Sequence, residues 1–464
     1  MPTDLIVLAA GKGSRMKSAL AKVLHPIVGQ PMLGQVIQTA RTLAPRSVTA
    51  VLGYQAEAVG SYLKTHFPDV STVVQVEQLG TGHAVQVAMS KLQDEGISLV
   101  LYGDVPLIDS GTLAHCVEQA EGGHVALVTA TLADPAQLGR IVRGDDGAFL
   151  SVIEYRDASD AQRQIKEINS GIMAAPTSRL RGWLAALQPN NAQGEYYLTD
   201  IFAMAVEAGV EVRTVGATHE YEVAGVNDRA QLAALEREHQ RRLVHRLMRE
   251  GVSFADPDRV DIRGTLEAGE DCFIDVNAVF TGRVVLGRGV QVGANSVIMD
   301  AQLGDRVVVN SHTVIEQAQV SEDCVLGPFA RIRPGSDFGP GVRVGNFVET
   351  KKAILGAGTK ANHLAYLGDA TIGTNCNIGA GAITCNYDGV DKHQTTIGDQ
   401  VFIGTNSTLV APLEIGDRSF TAAGSTVTSR VDDDALAVAR AKQRNIAGWR
   451  SPSKRKQDTG KSEI

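Results

Sequence analysis

Residues 286–310 read LGRGVQVGANSVIMDAQLGDRVVVN. Leu286-Gly287, Val292-Gly293, Leu303-Gly304 and Val309-Asn310 repeat one unit, an apolar residue followed by a small or short polar one, on a period close to six. The series runs on through Leu326-Gly327, Val344-Gly345, Leu367-Gly368, Ile372-Gly373, Ile378-Gly379, Ile397-Gly398, Ile403-Gly404 and Ile415-Gly416. A sustained hexapeptide period is the signature of a parallel β-helix, in which three units close a triangular coil of about 18 residues. The apolar residue is expected to point into the prism and the small one to allow the corner. The stretch Thr384–Thr396 (TCNYDGVDKHQTT) is too long for a corner and is expected to project as a loop, where solenoids carry function. The final residues, SPSKRKQDTGKSEI (451–464), are polar and unpatterned and are expected to be disordered.

Upstream of the repeats, DRAQLAALEREHQRRLVHRLMREG (228–251) carries Leu232, Leu235, Leu243, Leu247 and Met248 among many charges and stops at Gly251. That pattern predicts one long, mostly solvated connecting helix. Residues 1–227 have a different texture. The apolar runs LIVLAA (5–10), SVTAVLG (47–53), ISLVLYGD (97–104) and VALVTATL (125–132) alternate with amphipathic segments such as Met32–Leu43 and His83–Leu92. Such alternation predicts an α/β domain, a buried parallel sheet with helices on both faces. Ligands of these sheets bind beyond the carboxyl ends of strands, where Gly11-Lys12-Gly13-Ser14-Arg15 and Gly103-Asp104 fall. The expected domains are residues 1–228, a linker helix 229–249, and a repeat domain with its tail, 250–464.

With 464 residues the chain is too long for a single core. A hydrophobic content of 44% and a charged content of 21% describe an ordinary globular protein. The net charge of −8 argues against a nucleic-acid binder, which shows a basic face. No apolar run approaches the roughly 20 residues of a membrane span. Without a charged-then-apolar leader, a cytoplasmic address is expected. Cys116, Cys272, Cys324, Cys376 and Cys385 form no C-x-x-C pair and suit buried, reduced thiols. A catalytic thiol stays open for acyl transfer.

The loop GKGSR (11–15) fits neither standard phosphate motif. The P-loop spacing is absent, and Met16 stands where a dinucleotide fingerprint needs its third glycine. Gly11 and Gly13 still let backbone N–H groups approach an anion, with Lys12, Arg15 and then Lys22 supplying charge. Asp104, ending the strand VLYGD, suits a hard cation such as Mg²⁺ held against phosphates; taken alone it suits a helix cap or turn. In the repeat half, FVETKKAILGAGTKANHLAYLG (347–368) sets Glu349, Lys351, His363 and Tyr366 on neighbouring coils, with Arg333 in phase. A histidine there suits removal of a proton from an attacking amine, and the cations suit a sugar phosphate.

These residues also carry a resemblance. LAAGKGSRM, the lysine in AKVLHPIVGQPM, and YGDVPL resemble the sugar-nucleotide pyrophosphorylases, which join a nucleoside triphosphate to a sugar 1-phosphate. QLGTGHAV (78–85), GRIVR (139–143), EINSGI (167–172), GEYYLTDI (194–201) and GVNDRAQL (225–232) narrow it. With the hexapeptide half, residues 3–450 resemble the bacterial bifunctional N-acetylglucosamine-1-phosphate uridylyltransferase/glucosamine-1-phosphate N-acetyltransferase family. The resemblance implies a Rossmann-like nucleotidyltransferase domain, a long linker helix and a left-handed parallel β-helix. It implies homotrimers with acetyltransferase sites between subunits, Mg²⁺ as cofactor, and UTP, acetyl-CoA, glucosamine 1-phosphate and N-acetylglucosamine 1-phosphate as substrates. The product, UDP-N-acetylglucosamine, supplies peptidoglycan and lipopolysaccharide precursors.

Carried over by position, the resemblance puts Leu8, Ala9, Ala10, Gly11 and Lys22 on the nucleotide and Gln75, Gly80 and Thr81 on uracil. Tyr102 and Gly103 border the sugar nucleotide, Asp104 and Asn227 bind Mg²⁺, and Gly139, Glu154 and Asn169 line the sugar pocket. Arg15 and Lys22 lower the repulsion as the sugar phosphate attacks UTP. In the second half His363 is the general base and Glu349 its orienter. Arg333, Lys351, Tyr366 and Asn377 match glucosamine-1-phosphate contacts. Ala380, Asn386, Tyr387, Thr405, Ala423 and Arg440 match acetyl-CoA contacts, with a backbone amide near Ala380 assisting the oxyanion. Ser14 and Thr405 stand where many relatives carry Thr and Ser, and both keep the hydroxyl. Two other readings stay open: an enzyme with the first activity alone, and a non-catalytic assembly subunit.

Overall fold

The computed structural model describes residues 1–454. The described chain divides into two compact units: Met1–Arg249 with Asp256–Thr265 and Phe280–Gly282 form one, and the remaining described residues form the other. The principal elements of the first unit are β1 (Thr3–Ala9), α1 (Met32–Arg41), β2 (Ser47–Leu52), α2 (Ala56–His66), β3 (Ser71–Val74), α3 (Thr81–Ala88), β4 (Ile97–Tyr102), α4 (Ser110–Ala120), β5 (Val125–Thr131), the hairpin β6 (Arg140–Arg143) and β7 (Phe149–Ile153), β8 (Glu167–Pro176), α5 (Thr177–Ala186), α6 (Asp200–Glu207) and β9 (Val212–Gly216). The strands lie in the order β9-β5-β8-β4-β1-β2-β3, with β6 and β7 branching from β8.

Burial on both faces explains the unbroken apolar runs. Leu5 and Val7 of β1 pack with Val36 and Leu113 on one side, while Ile6 and Leu8 pack with Val85 and Leu180 on the other. Helix α1 forms because Met32, Leu33, Val36, Ile37 and Ala40 recur at helical spacing, and all five are buried. Strand β1 runs parallel to β2 and β4, which sets Leu8 opposite Tyr102. Along the main path of seven strands the parallel order has one exception. Strand β8 enters antiparallel between β4 and β5, so VALVTATL does not pair with ISLVLYGD directly.

Helix α7 (Arg229–Arg249) occupies the expected span and is mostly solvated as expected, with one narrow buried stripe. Leu235, Val244 and Leu247 are buried, and Leu235 joins Met16, Ile27, Val28, Met32 and Val226 in one apolar cluster. Gln240 is buried as well, and its amide pairs both ways with the backbone of Ile262, at 2.7 and 2.8 Å. The side chain satisfies that strand as a neighbouring strand does. The helix is therefore an integral part of the first unit rather than a free connector.

The second unit is the prism. Parallel strands pair residues 17 or 18 positions apart, as Gln291 with Val308 and Val325 with Arg343. Leu286, Val292, Leu303, Val309, Ile378, Ile403 and Ile415 all point inward and are buried. The small residue after each has a different task from the expected one. A Cβ on Gly404 would lie 2.4 Å from the Thr421 carbonyl oxygen and 2.6 Å from Ala423 N on the next coil. Glycine there permits coil stacking. The turn itself is made two residues later, where Asn295, Arg306, Asn375 and Asn406 adopt left-handed φ of 58°, 58°, 53° and 54°. One coil lengthens to 25 residues between Asn377 and its partner Phe402, and its projecting loop is closed by a bridge between Tyr387 and Lys392. In the expected disordered tail, Pro452–Lys454 are helical and residues 455–464 lie outside the described residues. Among the described residues no helix is long and apolar enough to cross a membrane.

Candidate active sites

At the carboxyl ends of β1 and β4 opens a cavity of about 390 Å³. Leu8, Ala9, Ala10, Gly11, Lys22, Gln75, Gly80, Thr81, Tyr102 and Asp104 all line it, so these sequence-selected residues do converge. Lys12, Val23, Gln78, Ala84 and Glu195 complete the wall. Gly13 has φ +57°, and a Cβ there would lie 2.6 Å from that of Lys22, so glycine lets the Lys22 segment close on the loop. A Cβ on Gly11 would meet nothing within 4 Å and would stand in open space at the cavity wall.

Lys22 is the hub. Its ammonium donates to Asn227 Oδ1 at 2.9 Å and pairs with the Asp104 carboxylate. The Val226 N–H donates to the Asp104 carbonyl at 2.9 Å, tying the segment that carries Asn227 to the end of β4. The capping alternative for Asp104 fails, because helix α4 is capped by Asp109, which accepts from Gly111 N. Asp104 and Asn227 thus offer two oxygen donors to one cation. Among the described residues no group of three His, Cys, Asp or Glu could hold a metal. A Mg²⁺ ion suits such a sparse oxygen pair, because it takes its remaining ligands from phosphates and water.

Beside this pair Tyr102 is half-buried, and desolvation, then Glu154 and Asp104, push its hydroxyl pKa up. Burial raises the Glu154 carboxyl against a hydrogen bond from Thr199, with Asp157 and Asp200 adding to the rise. Asn169 N donates to the Gly139 carbonyl at 2.9 Å, and a Cβ on Gly139 would stand 3.4 Å from the Glu154 carboxylate. Gly139, Glu154 and Asn169 therefore form one group. Gly103 N donates to Leu8 O at 2.9 Å, a bond between strand ends. Arg15 is exposed on its short helical turn, outside the cavity lining. Gln78, Ala84 and Glu195 were missed within motifs already noticed, since spacing does not say which side chains turn inward.

In the prism, register places Arg331 beside Glu349 and Glu349 beside Tyr366 on successive coils. Arg333 donates to Glu349 at 2.7 Å. The partner the structure gives Glu349 is therefore the Arg333 guanidinium, which engages one carboxylate oxygen, while His363 stands exposed. Lys351 meets Lys392 from the projecting loop, a residue no sequence period marks. Lys392 first and then Arg333 push the Lys351 pKa down. Three cations crowded in this way suit a phosphate dianion. Asp388 accepts from His393 at 2.7 Å and pins the loop, and the buried Asn386 reaches Asp369. Tyr387 is exposed.

Asn377 lies on the face that carries His363, in register between Lys360 and Phe402. Ala380, Thr405 and Ala423 stand at one corner of successive coils, joined by Asn406 N to Ala380 O and Gly424 N to Thr405 O, each 2.8 Å. Arg440 donates to Ala423 O at 2.8 Å and extends that row. Burial pushes the Cys324 thiol up to about 11, which leaves it protonated near neutrality. Cys385 alone of the five is half-buried.

A nucleotidyltransferase-like sheet with a lysine–carboxylate centre and a hexapeptide prism with a cationic histidine site define a transferase with two centres. A family model for the MobA-like NTP transferase domain matches residues 5–250, and one for the hexapeptide repeat of succinyl-transferase matches 268–300, 370–391 and 394–429. The bifunctional protein GlmU of Marinobacter nauticus is 51% identical over 98% of this chain and 99% of its own. That of Stutzerimonas stutzeri is 52% identical over 98% of this chain and 100% of its own, and that of Paraburkholderia xenovorans 51% over 98% and 100%. This chain belongs to the family of bifunctional GlmU proteins. It is an enzyme with a nucleotidyltransferase half and an acyltransferase half.

Proposed function

We infer that the chain makes UDP-N-acetylglucosamine in two steps. Residues 250–464 acetylate glucosamine 1-phosphate from acetyl-CoA, and residues 1–249 then transfer UMP from UTP to N-acetylglucosamine 1-phosphate, releasing pyrophosphate. One observation carries the reading: each unit holds its own cation-lined centre, Lys22 with Asp104 and Asn227 in one and Arg333, Lys351 and Lys392 in the other. A single-activity enzyme or a non-catalytic assembly subunit has no use for both.

In the first unit a sugar-phosphate oxygen attacks the α-phosphorus of UTP, and both partners are anionic. Lys22, Lys12 and the amides around Gly11 offset the negative charge on the phosphoryl oxygens, so positioning and electrostatics suffice without a protein nucleophile. Mg²⁺ held by Asp104 and Asn227 supplies Lewis-acid neutralisation of the phosphates when bound. Tyr102, Gly139, Glu154 and Asn169 receive the sugar.

In the prism the amine adds to the thioester carbonyl. The C–N bond forms, the C–S bond breaks, and His363 takes the amine proton that finally returns to the CoA thiolate. Arg333, Lys351 and Lys392 hold the phosphate. The working enzyme is a cytoplasmic homotrimer. An exposed ladder supports that assembly: the rings of His312, Phe329 and Phe347 stack at 4.8 and 5.6 Å, with exposed Leu364 one coil further, and such a strip calls for cover.

The test is His363→Ala. CoA release should fall by about 10²- to 10⁴-fold, the range of a lost general base, while pyrophosphate release from UTP is unchanged. Loss of both activities, or of neither, rejects the division of labour. A Cys385→Ala enzyme should still acetylate; loss of acetylation there, with an acetyl group trapped on Cys385 of the parent enzyme, would replace direct transfer by a thiol relay.

A further inference from the structure

We propose that His83 sets the pyrimidine specificity of the nucleotide cavity by fixing the orientation of the Gln75 amide. The proposal rests on the assignment of Gln75 to the uracil base. Gln75 is buried in the cavity wall, and its Nε2 lies 3.1 Å from the Gly80 carbonyl oxygen and 3.1 Å from His83 Nδ1. A carbonyl oxygen only accepts, so the amide nitrogen rather than the amide oxygen must face Gly80. One amide hydrogen goes to Gly80 and the other to His83, which makes Nδ1 the unprotonated acceptor and places the imidazole proton on Nε2. Both amide donors are then spent inside the protein. Oε1 is the group left to address a ligand.

An acceptor at that point distinguishes the two pyrimidines. Uracil presents N3–H, a donor, whereas cytosine presents a bare N3, an acceptor. Oε1 against N3–H makes a hydrogen bond; Oε1 against the cytosine N3 sets two acceptors face to face in a desolvated wall, which costs more than a missing contact. A glutamine free to flip would turn its NH₂ toward cytosine and accept both bases. The Gly80 carbonyl opposes that route because a flipped Oε1 would face it, and His83 adds to the preference by accepting the second N–H, since a flipped amide would oblige the imidazole to move its proton to Nδ1. The imidazole is carried on the first turn of α3, 6.5 Å between centroids from the Tyr196 ring. Gly80, at φ +112°, lies so close to Tyr196 that a Cβ would sit 2.6 Å from its carbonyl oxygen. The acceptor pair around Gln75 is therefore held by backbone that has little room to move.

The experiment measures kcat/KM for UTP and for CTP with N-acetylglucosamine 1-phosphate on the full-length enzyme. His83→Ala should lower the UTP-to-CTP preference by about tenfold, with CTP gaining while UTP falls a few-fold. His83→Asn keeps an acceptor near the position of Nδ1 and should restore the preference. A merely structural role would lower both nucleotides together and leave the ratio unchanged, and that result overturns the proposal. Gln75→Ala separates the two levels. If it leaves the ratio unchanged, Gln75 does not read the base and the underlying assignment fails; if it collapses the ratio while His83→Ala does not, the role of His83 is refuted alone.

Discussion

Asp104→Asn removes one unit of charge from the carboxyl end of β4 without removing an oxygen. The fold should tolerate it. Lys22 keeps Asn227 at 2.9 Å and regains an amide oxygen, and the β4 core residues Leu99 and Leu101 are untouched. The cation site should not tolerate it. A carboxylate and a divalent cation about 4 Å apart at an effective dielectric near 20 interact by roughly 8 kcal/mol. Water entering beside the neutral amide returns part of this, leaving about 3–4 kcal/mol, or a 10²- to 10³-fold loss at 1.36 kcal/mol per decade. The assay is pyrophosphate release from UTP and N-acetylglucosamine 1-phosphate across a MgCl₂ titration, with CoA release measured on the same preparation. Pyrophosphate release within a few-fold of the parent at saturating Mg²⁺ would refute the metal assignment. A parallel fall in CoA release would show that the substitution damages the whole chain.

Two further outcomes are expected. Burial raises the folded pKa of Glu154 above its unfolded value, so its favourable contribution is fully present below the unfolded pKa and is lost as pH rises through the folded one. Glu154→Gln, neutral at every pH, should therefore raise the melting temperature of the first unit above neutrality, with a gain that fades in acid; calorimetry showing a gain that grows in acid contradicts this. A fragment of residues 1–249 should fold as a monomer and retain uridylyl transfer, whereas one of 1–227 should melt lower. The shorter piece loses Leu235 from its cluster and the Glu236 carboxylate that accepts from Val28 N at 2.7 Å. Equal melting curves would contradict the integral role of α7.

What was legible in the sequence follows the range of each rule. The inward residues of the prism obey a local period, so Leu286, Val292 and Ile403 could be placed from spacing alone. The purpose of Gly404 could not, because the atoms it must avoid belong to the next coil. Strand β8 escaped because EINSGI was read as a motif rather than as a strand, and its antiparallel place is decided by partners on β4 and β5. The cavity residues came from motifs, and the structure brings most of them together. Lys392 and the Arg333–Glu349 pair were hidden because a loop has no period and a carboxylate's choice between two cations is a matter of distance.

That one chain runs both transfers is tested most directly by supplying the full-length protein with glucosamine 1-phosphate, UTP and Mg²⁺, with and without acetyl-CoA. With acetyl-CoA present, both CoA and pyrophosphate should be released and UDP-N-acetylglucosamine should accumulate. Without it, pyrophosphate release should cease and should return when N-acetylglucosamine 1-phosphate is added. Pyrophosphate release that ignores acetyl-CoA, or that proceeds from N-acetylglucosamine 1-phosphate in a protein that never liberates CoA, would contradict the two-step assignment.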